Sequence, residues 1–129
     1  MDENALIQYY TLIKSKIALG SIKTALEFID KLLYSYPRDA YAYYFKGVCF
    51  FALESYETSI KYFINALKLN PVFAKAYFNL GVSYFMLQKK DAALINIGKA
   101  LVLFVKSNEN DKKLRCINAL RFIGGEDVI

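Results

Sequence analysis

Residues 40–53 read AYAYYFKGVCFFAL, and residues 74–87 repeat the pattern as AKAYFNLGVSYFML. When the chain is shifted by 34 residues, ten positions are identical between 40–73 and 74–107. Chance would give about two identities over this length for an ordinary composition. Self-similarity at a fixed period of this size indicates a repeat architecture, in which each unit buries its apolar face against the next.

The first unit, residues 6–39, keeps the same register as the other two. Pro37 stands 34 residues before Pro71, and these are the only two prolines in the chain. Three further sets of residues recur at this spacing in all three units: Tyr9, Tyr43 and Tyr77; Ala25, Ser59 and Ala93; Leu33, Leu67 and Leu101. The sequence therefore predicts three tandem units with the boundaries 6–39, 40–73 and 74–107.

Each unit contains two stretches with the periodicity of an amphipathic helix. In the third unit, Tyr77, Leu80 and Tyr84 lie on one helical face. The polar residues 88–91 interrupt this pattern, and a second helical period follows around Ile97. Each unit is therefore predicted to be a pair of helices joined by a short turn.

The expected helix caps are short polar side chains. Ser21 and Ser55 stand just before the second helix of the first two units, where a hydroxyl oxygen can accept a hydrogen bond from a free backbone N–H group. Asn108 or Asn110 is the candidate for the same role in the last helix. We expect these residues to fix where the helices begin.

This pattern resembles that of the tetratricopeptide repeat (TPR) family, whose unit is a helix-turn-helix of 34 residues. The matching positions of the second and third units are Tyr43, Gly47, Phe50, Ser59, Phe63, Ala66, Pro71, Tyr77, Leu80, Gly81, Tyr84, Ala93, Ile97 and Ala100. The glycines and small residues let the two helices of a unit approach closely. The first unit departs from the pattern, with Ile13 where glycine belongs. The resemblance implies an all-α fold, a right-handed α-solenoid, as a single domain over residues 1–129.

After the third unit the 34-residue period ends, but residues 109–123 still read as one amphipathic helix. Leu114, Ile117 and Leu120 are predicted to face one way. A stack of helix pairs leaves its last apolar face uncovered, so an additional helix is expected to cap it. The fold prediction is therefore three helix-turn-helix units and a C-terminal capping helix, seven helices in all.

The composition argues against catalysis and against a membrane span. The chain contains no histidine, which is the commonest general base and metal ligand, so we expect no enzyme activity, catalytic residue, metal or cofactor. Cys49 and Cys116 are predicted to be reduced, packed thiols. The longest apolar stretch, 40–53, is broken by Lys46 and is shorter than the ~20 residues that a spanning helix needs. Because the N-terminus carries acids where a signal peptide has bases, we expect a soluble, cytoplasmic protein.

The aromatic residues of 40–53 are too many for the buried face of one helix. Tyr43, Gly47 and Phe50 form the side that packs on the second helix, so the other rings point elsewhere. In a stack of helix pairs the first helices line a concave surface, and a contiguous apolar patch there usually marks a partner site. We therefore predict a groove that binds a peptide or helical segment of another protein. The predicted groove residues are Tyr10, Lys14, Tyr41, Tyr44, Phe45, Val48, Phe51, Lys75, Phe78, Asn79, Val82 and Phe85.

The sequence leaves three alternatives to a dedicated adaptor. The groove holds apolar clients loosely, as a chaperone does, or it is covered by the C-terminal helix or by a second copy in a homo-oligomer. As a less favoured alternative, residues 86–123 carry eight Lys or Arg and three Asp or Glu, which suits weak binding of nucleic acid. Some TPR domains grip the C-terminal carboxylate of heat-shock chaperones, but only Lys75 matches that clamp here, so this ligand class is rejected.

Overall fold

The computed structural model describes residues 1–125, so residues 126–129 of the predicted domain lie outside it. The bounds of its helices are α1 Glu3–Ala18, α2 Ile22–Ser35, α3 Ala40–Ala52, α4 Tyr56–Leu69, α5 Ala74–Met86, α6 Lys90–Lys106 and α7 Asn110–Gly124. Each helix packs against the next in chain order, which gives a solenoid of three helix pairs followed by a single helix. The predicted all-α fold with seven helices is confirmed for the described residues. Among these helices, none combines the length and the apolar character that crossing a membrane requires.

The turn inside each helix pair follows the same 34-residue period as the sequence. Gly20, Glu54 and Gln88 occupy equivalent positions, and their φ angles are +79°, +59° and +61°. This left-handed conformation ends the first helix and reverses the chain toward the second. Only Gly20 adopts it without a steric penalty, so Glu54 and Gln88 each carry about 1–2 kcal/mol of local strain.

The prediction that serine and asparagine side chains cap α2, α4 and α7 is wrong. Ser21 and Ser55 occupy the N-cap positions of α2 and α4, but neither side chain accepts a capping hydrogen bond. Glu109 holds the N-cap position of α7, where Asn108 or Asn110 was expected. Asn108 lies instead in the preceding turn with a φ of +58°. Backbone hydrogen bonds across these turns, rather than polar side chains, determine where the helices begin.

Two aspartates cap the first helices of the first two units. The Asp2 carboxylate accepts a hydrogen bond from the Ala5 N–H group at 2.7 Å. Asp39 Oδ1 accepts from the N–H groups of Tyr41 and Ala42 at 2.9 and 3.3 Å. A carboxylate also interacts favourably with the positive N-terminal end of a helix dipole. Neither aspartate was among the expected caps.

Glycine brings the two helices of a unit into direct contact. A Cβ atom on Gly47 would lie 2.6 Å from the Phe63 ring, and one on Gly81 would lie 2.6 Å from Ile97 Cγ1. Both Phe63 and Ile97 are fully buried. The expectation that these glycines permit a close approach is therefore confirmed. In the first unit Ile13 stands at the glycine position and is itself fully buried.

The last helix, α7, covers the apolar face of the third unit. Cys116 and Leu120 pack with Phe104 of α6 in one buried cluster. Leu114, which was expected on the buried face, is 56% exposed. The reason is that the packed face of α7 follows residues 116 and 120, one helical turn apart, and Leu114 lies off that line.

Both cysteines are buried free thiols, as predicted. Burial raises the pKa of Cys49 and of Cys116 to about 11 in each case. The thiolate is the reactive form of cysteine, so both groups stay protonated and unreactive at neutral pH. Their role in this fold is to fill space in the core.

Replacing Gly47 with Ala tests the contact between the helices. Three atoms of the buried Phe63 ring would lie within 2.9 Å of the added methyl group, so the ring or the helix must move. We expect the free energy of unfolding to fall by about 1–3 kcal/mol, the usual cost of overpacking. Urea denaturation followed by circular dichroism measures the change.

Gly98→Ala is the matched control, because nothing lies within 4 Å of its added Cβ atom. Gly98 is inside α6, where alanine is favoured over glycine by about 0.5–1 kcal/mol, so this variant should be slightly more stable than the wild type. Equal effects of the two substitutions would contradict a special role for Gly47.

Candidate binding groove

The first helices of the three units, α1, α3 and α5, lie side by side and form one face of the solenoid. Three neighbouring hollows occupy this face, and together we call them the inner groove. The first hollow lies between α1 and α3, the middle one between α3 and α5, and the last one between α5 and α7; their volumes are about 270, 180 and 220 Å³. Tyr44 lines the first and the last hollow, and Phe78 lines the middle and the last. Because they share walls, the hollows form one continuous surface.

Nine of the twelve predicted groove residues line these hollows: Lys14, Tyr44, Phe45, Val48, Phe51, Lys75, Phe78, Asn79 and Val82. Most of their side chains are half-buried, so part of each remains accessible. Phe45 was expected to project into the groove, but it is only 3% exposed and belongs to the core of the first two units. The rings of Tyr10 and Tyr44 pack on it at centroid distances of 5.8 and 5.7 Å. Phe45 therefore supports the floor of the first hollow.

Tyr10 stabilises the fold and does not line the three hollows. Its hydroxyl donates a hydrogen bond to Asp39 Oδ2 at 2.5 Å, while the other oxygen of this carboxylate caps α3. Burial, together with this bond to Asp39, raises the pKa of Tyr10. Its ring lies 5.2 Å from that of Tyr41, which is 47% exposed and also lines none of the three hollows. The Tyr10 hydroxyl joins α1 to the start of α3 and is not free for a partner.

Phe85 also lies outside the three hollows. Its ring meets the ring of Phe122 on α7 edge-on, with 5.9 Å between the centroids. The C-terminal helix thus also contacts α5 outside the inner groove, while its main contact is with α6. It caps the third unit and forms a side wall of the last hollow, and the groove itself stays accessible.

Tyr44 is the central side chain of the groove. Its ring packs on the rings of Phe73 and Phe63 at 4.9 and 5.9 Å. Asn79 Nδ2 donates a hydrogen bond to the Tyr44 hydroxyl oxygen at 3.0 Å, which ties α3 to α5. Desolvation raises the pKa of Tyr44, whereas the bond from Asn79 and the charge of Arg115 act in the opposite direction. The hydroxyl stays protonated and can donate its own proton into the last hollow.

Three cations converge on the last hollow. Lys75 comes from α5, whereas Lys112 and Arg115 come from α7. Burial lowers the pKa of Lys75, and the positive charge of Lys112 adds to this effect. Glu109 is an acidic neighbour of this group, and it forms an ion pair with Lys112. The cluster therefore keeps a net positive charge.

This cluster was not among the sequence predictions. Lys112 and Arg115 belong to the basic stretch 86–123, the less favoured candidate for binding nucleic acid, which also contains Lys89 and Lys90. In the structure Lys89 and Lys90 stand at the start of α6, at the opposite end of that helix from the first turn of α7. The basic residues therefore do not form one stripe. The one available signal was the i, i+3 spacing of Lys112 and Arg115, which places both on the same side of a helix.

The comparisons with known protein families agree with this architecture. A family model described as a tetratricopeptide repeat matches residues 10–63, and a second model, described as a TPR repeat, matches residues 47–88. Together the two matches cover more than half of the chain. The chain belongs to the TPR repeat proteins. No curated protein matches it significantly in sequence.

Several solved structures share the fold over nearly their whole length. The type III secretion translocator chaperone SycD of Yersinia enterocolitica matches with a TM-score of 0.87 at 16% identity, covering 99% of this chain and 98% of that one. PcrH of Pseudomonas aeruginosa, in complex with the chaperone-binding region of PopD, matches with a TM-score of 0.85 at 18% identity, covering 98% and 96%. SycD in complex with a peptide of the translocator YopD matches with a TM-score of 0.83 at 17% identity, covering 95% and 94%. At these identities the likeness establishes the fold.

Tyr10→Phe tests the bond that joins α1 to α3. The substitution removes the hydroxyl and leaves the ring packing in place. A hydrogen bond to a charged acceptor contributes about 1.5–3 kcal/mol to stability. Because this pair is partly exposed and solvent weakens the bond, we expect the free energy of unfolding to fall by about 1 kcal/mol. Chemical denaturation at neutral pH measures the loss.

Tyr34→Phe is the control for this experiment, because Tyr34 is 92% exposed. Its unfolding free energy should stay within about 0.5 kcal/mol of the wild type. If Tyr10→Phe were as stable as Tyr34→Phe, the Tyr10 hydroxyl would not be a stabilising contact.

Proposed function

We propose that the inner groove binds an apolar segment of another protein, and that this binding is the function of the chain. The observation that carries the proposal is the continuity of the three hollows along α1, α3 and α5, with aromatic and aliphatic walls that remain partly exposed. Burying one large apolar side chain favours association by roughly 1.5–3 kcal/mol. Several such contacts would overcome the entropic cost of ordering a peptide.

The walls of the groove are fixed before a partner arrives. Tyr44 is held by Asn79 and by the ring of Phe73, and Phe45 is anchored in the core. A preorganised wall loses little side-chain entropy on binding, so more of the contact energy appears as affinity. An extended segment can place alternate side chains in successive hollows, and a helical one can use its i, i+3 and i+4 positions.

The structural relatives support the proposal and indicate its form. SycD and PcrH have this fold, and their structures contain a peptide of the translocator YopD and the chaperone-binding region of PopD. By analogy, this chain would act as a chaperone-like holder that shields an apolar segment of a client. An adaptor that recognises one defined motif is the other form of the same proposal.

Val48→Glu combined with Val82→Glu tests the groove, because these half-buried residues line the first and middle hollows. The probe is a set of peptides selected from a displayed random library on the wild-type protein and measured by fluorescence anisotropy. We expect binding to weaken at least about 30-fold, corresponding to ~2 kcal/mol, because a carboxylate in each hollow replaces an apolar contact. A single recurring motif among the peptides favours an adaptor, whereas unrelated apolar sequences favour a holder.

Val102→Glu combined with Val105→Glu is the matched control, since these residues are 53% and 51% exposed on α6, away from the groove. Peptide affinity should stay within about threefold of the wild type. Circular dichroism checks that both double variants remain helical. Selected peptides that bind the groove variant as tightly as the wild type would overturn the proposal, and so would a failure to select any peptide.

A second candidate function is self-association, and one observation favours it. Ile95, Val102 and Val105 are each more than half exposed and follow one another along α6. Such an apolar stripe on a helix is suited to contact with a second copy. Sedimentation velocity over about a hundredfold range of concentration tests this candidate. A dimer that Val102→Glu with Val105→Glu dissociates would establish it, and a monomer throughout would remove it.

A further inference from the structure

We propose that the segment bound in the inner groove carries an acidic side chain, whose carboxylate is held in the last hollow by Lys75, Lys112 and Arg115. This inference rests on the proposed function and adds the chemistry of the ligand. It differs from the rejected clamp of heat-shock chaperone binders, because two of its three cations come from the capping helix α7.

The geometry of the last hollow suits a carboxylate. Its cations approach from two helices, α5 on one side and α7 on the other, around a volume of about 220 Å³. Phe78 and Phe104 form apolar walls, which lower the local dielectric and strengthen charge-assisted hydrogen bonds. The Tyr44 hydroxyl, which already accepts a bond from Asn79, can donate to the same ligand. An ionised carboxylate can accept all these donors at once through its two oxygens.

The charges around this hollow are unbalanced in the free protein. Within residues 1–125, Glu109 pairs with Lys112 and also attracts Lys75, so one carboxylate faces three cations and Arg115 forms no ion pair. Lys14 adds a further positive charge from the neighbouring first hollow. The lowered pKa of Lys75 reflects burial together with this repulsion. An incoming carboxylate would reduce the repulsion among these cations. The electrostatic free energy of the complex would therefore be lower than that of the free protein.

The carboxylate is assigned to a side chain rather than to a chain terminus, because the surface continues on both sides of the hollow. Toward α3 it joins the middle hollow at Phe78 and Asn79. In the other direction a further hollow of about 500 Å³ begins at Lys75 and Lys112 and extends along Phe73. A polypeptide can therefore pass through the site and place apolar side chains before and after the acidic one.

A peptide carboxylate fits the site better than the phosphates of a nucleic acid do. Binding to a nucleic-acid backbone needs cations spread along a track with many phosphate contacts. Here the cations meet at one point inside an apolar groove, and Lys89 with Lys90 lies at the far end of α6.

The test uses the groove-dependent peptides selected above and compares each acidic peptide with a copy in which its glutamate or aspartate is replaced by the amide. We expect the wild-type protein to prefer the acidic copy by about tenfold, the size of one charge-assisted contact. On the variant Lys75→Gln with Arg115→Gln this preference should fall below about twofold. Neither Lys75 nor Arg115 belongs to the buried core, so the fold should be retained, and circular dichroism verifies this.

Lys89→Gln with Lys90→Gln is the matched control, because it removes the same charge from a distant part of the surface; the tenfold preference should persist. Amidation of the peptide C-terminus should leave affinity unchanged, and an effect only from amidation would overturn the side-chain assignment. Oligouridine RNA, labelled and measured at about 50 mM salt, tests the phosphate alternative. RNA binding that Lys75→Gln with Arg115→Gln abolishes would also overturn the proposal.

Failure of this inference can be told apart from failure of the proposed function. Groove-dependent peptides that show no preference for acid over amide would leave peptide binding intact and reject the carboxylate site. The absence of any groove-dependent peptide would reject both.

Discussion

The direct contact of the two helices within a repeat is the constraint on which the rest of the structure depends. Gly47 presses its backbone against the buried Phe63 ring, and Gly81 does the same with Ile97. Because the glycine sides of α3 and α5 are committed to this contact, most of the aromatic residues on the other sides of these helices lie outside the seam between the two helices. Phe45 packs on Tyr10 of the first unit, whereas Tyr44, Phe51 and Phe78 line the inner groove. The abundance of aromatics in residues 40–53 is thus accounted for by two surfaces.

The same rings contribute to stability and to the groove. Tyr44 packs on Phe63 and Phe73 in the core and also lines two hollows. A wall built in this way is rigid, which favours binding of a ligand with small entropic cost. It also means that substitutions at Tyr44 would change folding and binding together, so the edges of the hollows at Val48 and Val82 are the better positions for separating the two.

The requirement to cover the end of the solenoid also determines the charge of the groove. The apolar face of the third unit needs a capping helix, and α7 meets this need through Cys116 and Leu120. Once α7 is docked by these residues, Lys112 and Arg115 are placed beside Lys75. The packing of α7 that stabilises the third unit therefore also places Lys112 and Arg115 in the groove. The residues that the repeats themselves contribute to the groove are mainly apolar.

The sequence by itself determined the repeat period, the helix pairs, the capping helix and most of the residues that line the three hollows, because these follow from spacing along single helices. Only the tertiary structure decided which of the predicted groove residues are instead engaged in contacts within the protein. Phe45 is buried and contacts the ring of Tyr10, Tyr10 donates a hydrogen bond to Asp39, and Phe85 packs edge-on against Phe122. Spacing along the chain also could not predict that Lys75 lies close to Lys112 and Arg115, because this depends on how α7 docks against α6 and α5. Helical periodicity specifies which face a residue occupies, but contacts between distant segments are specified only when the helices pack.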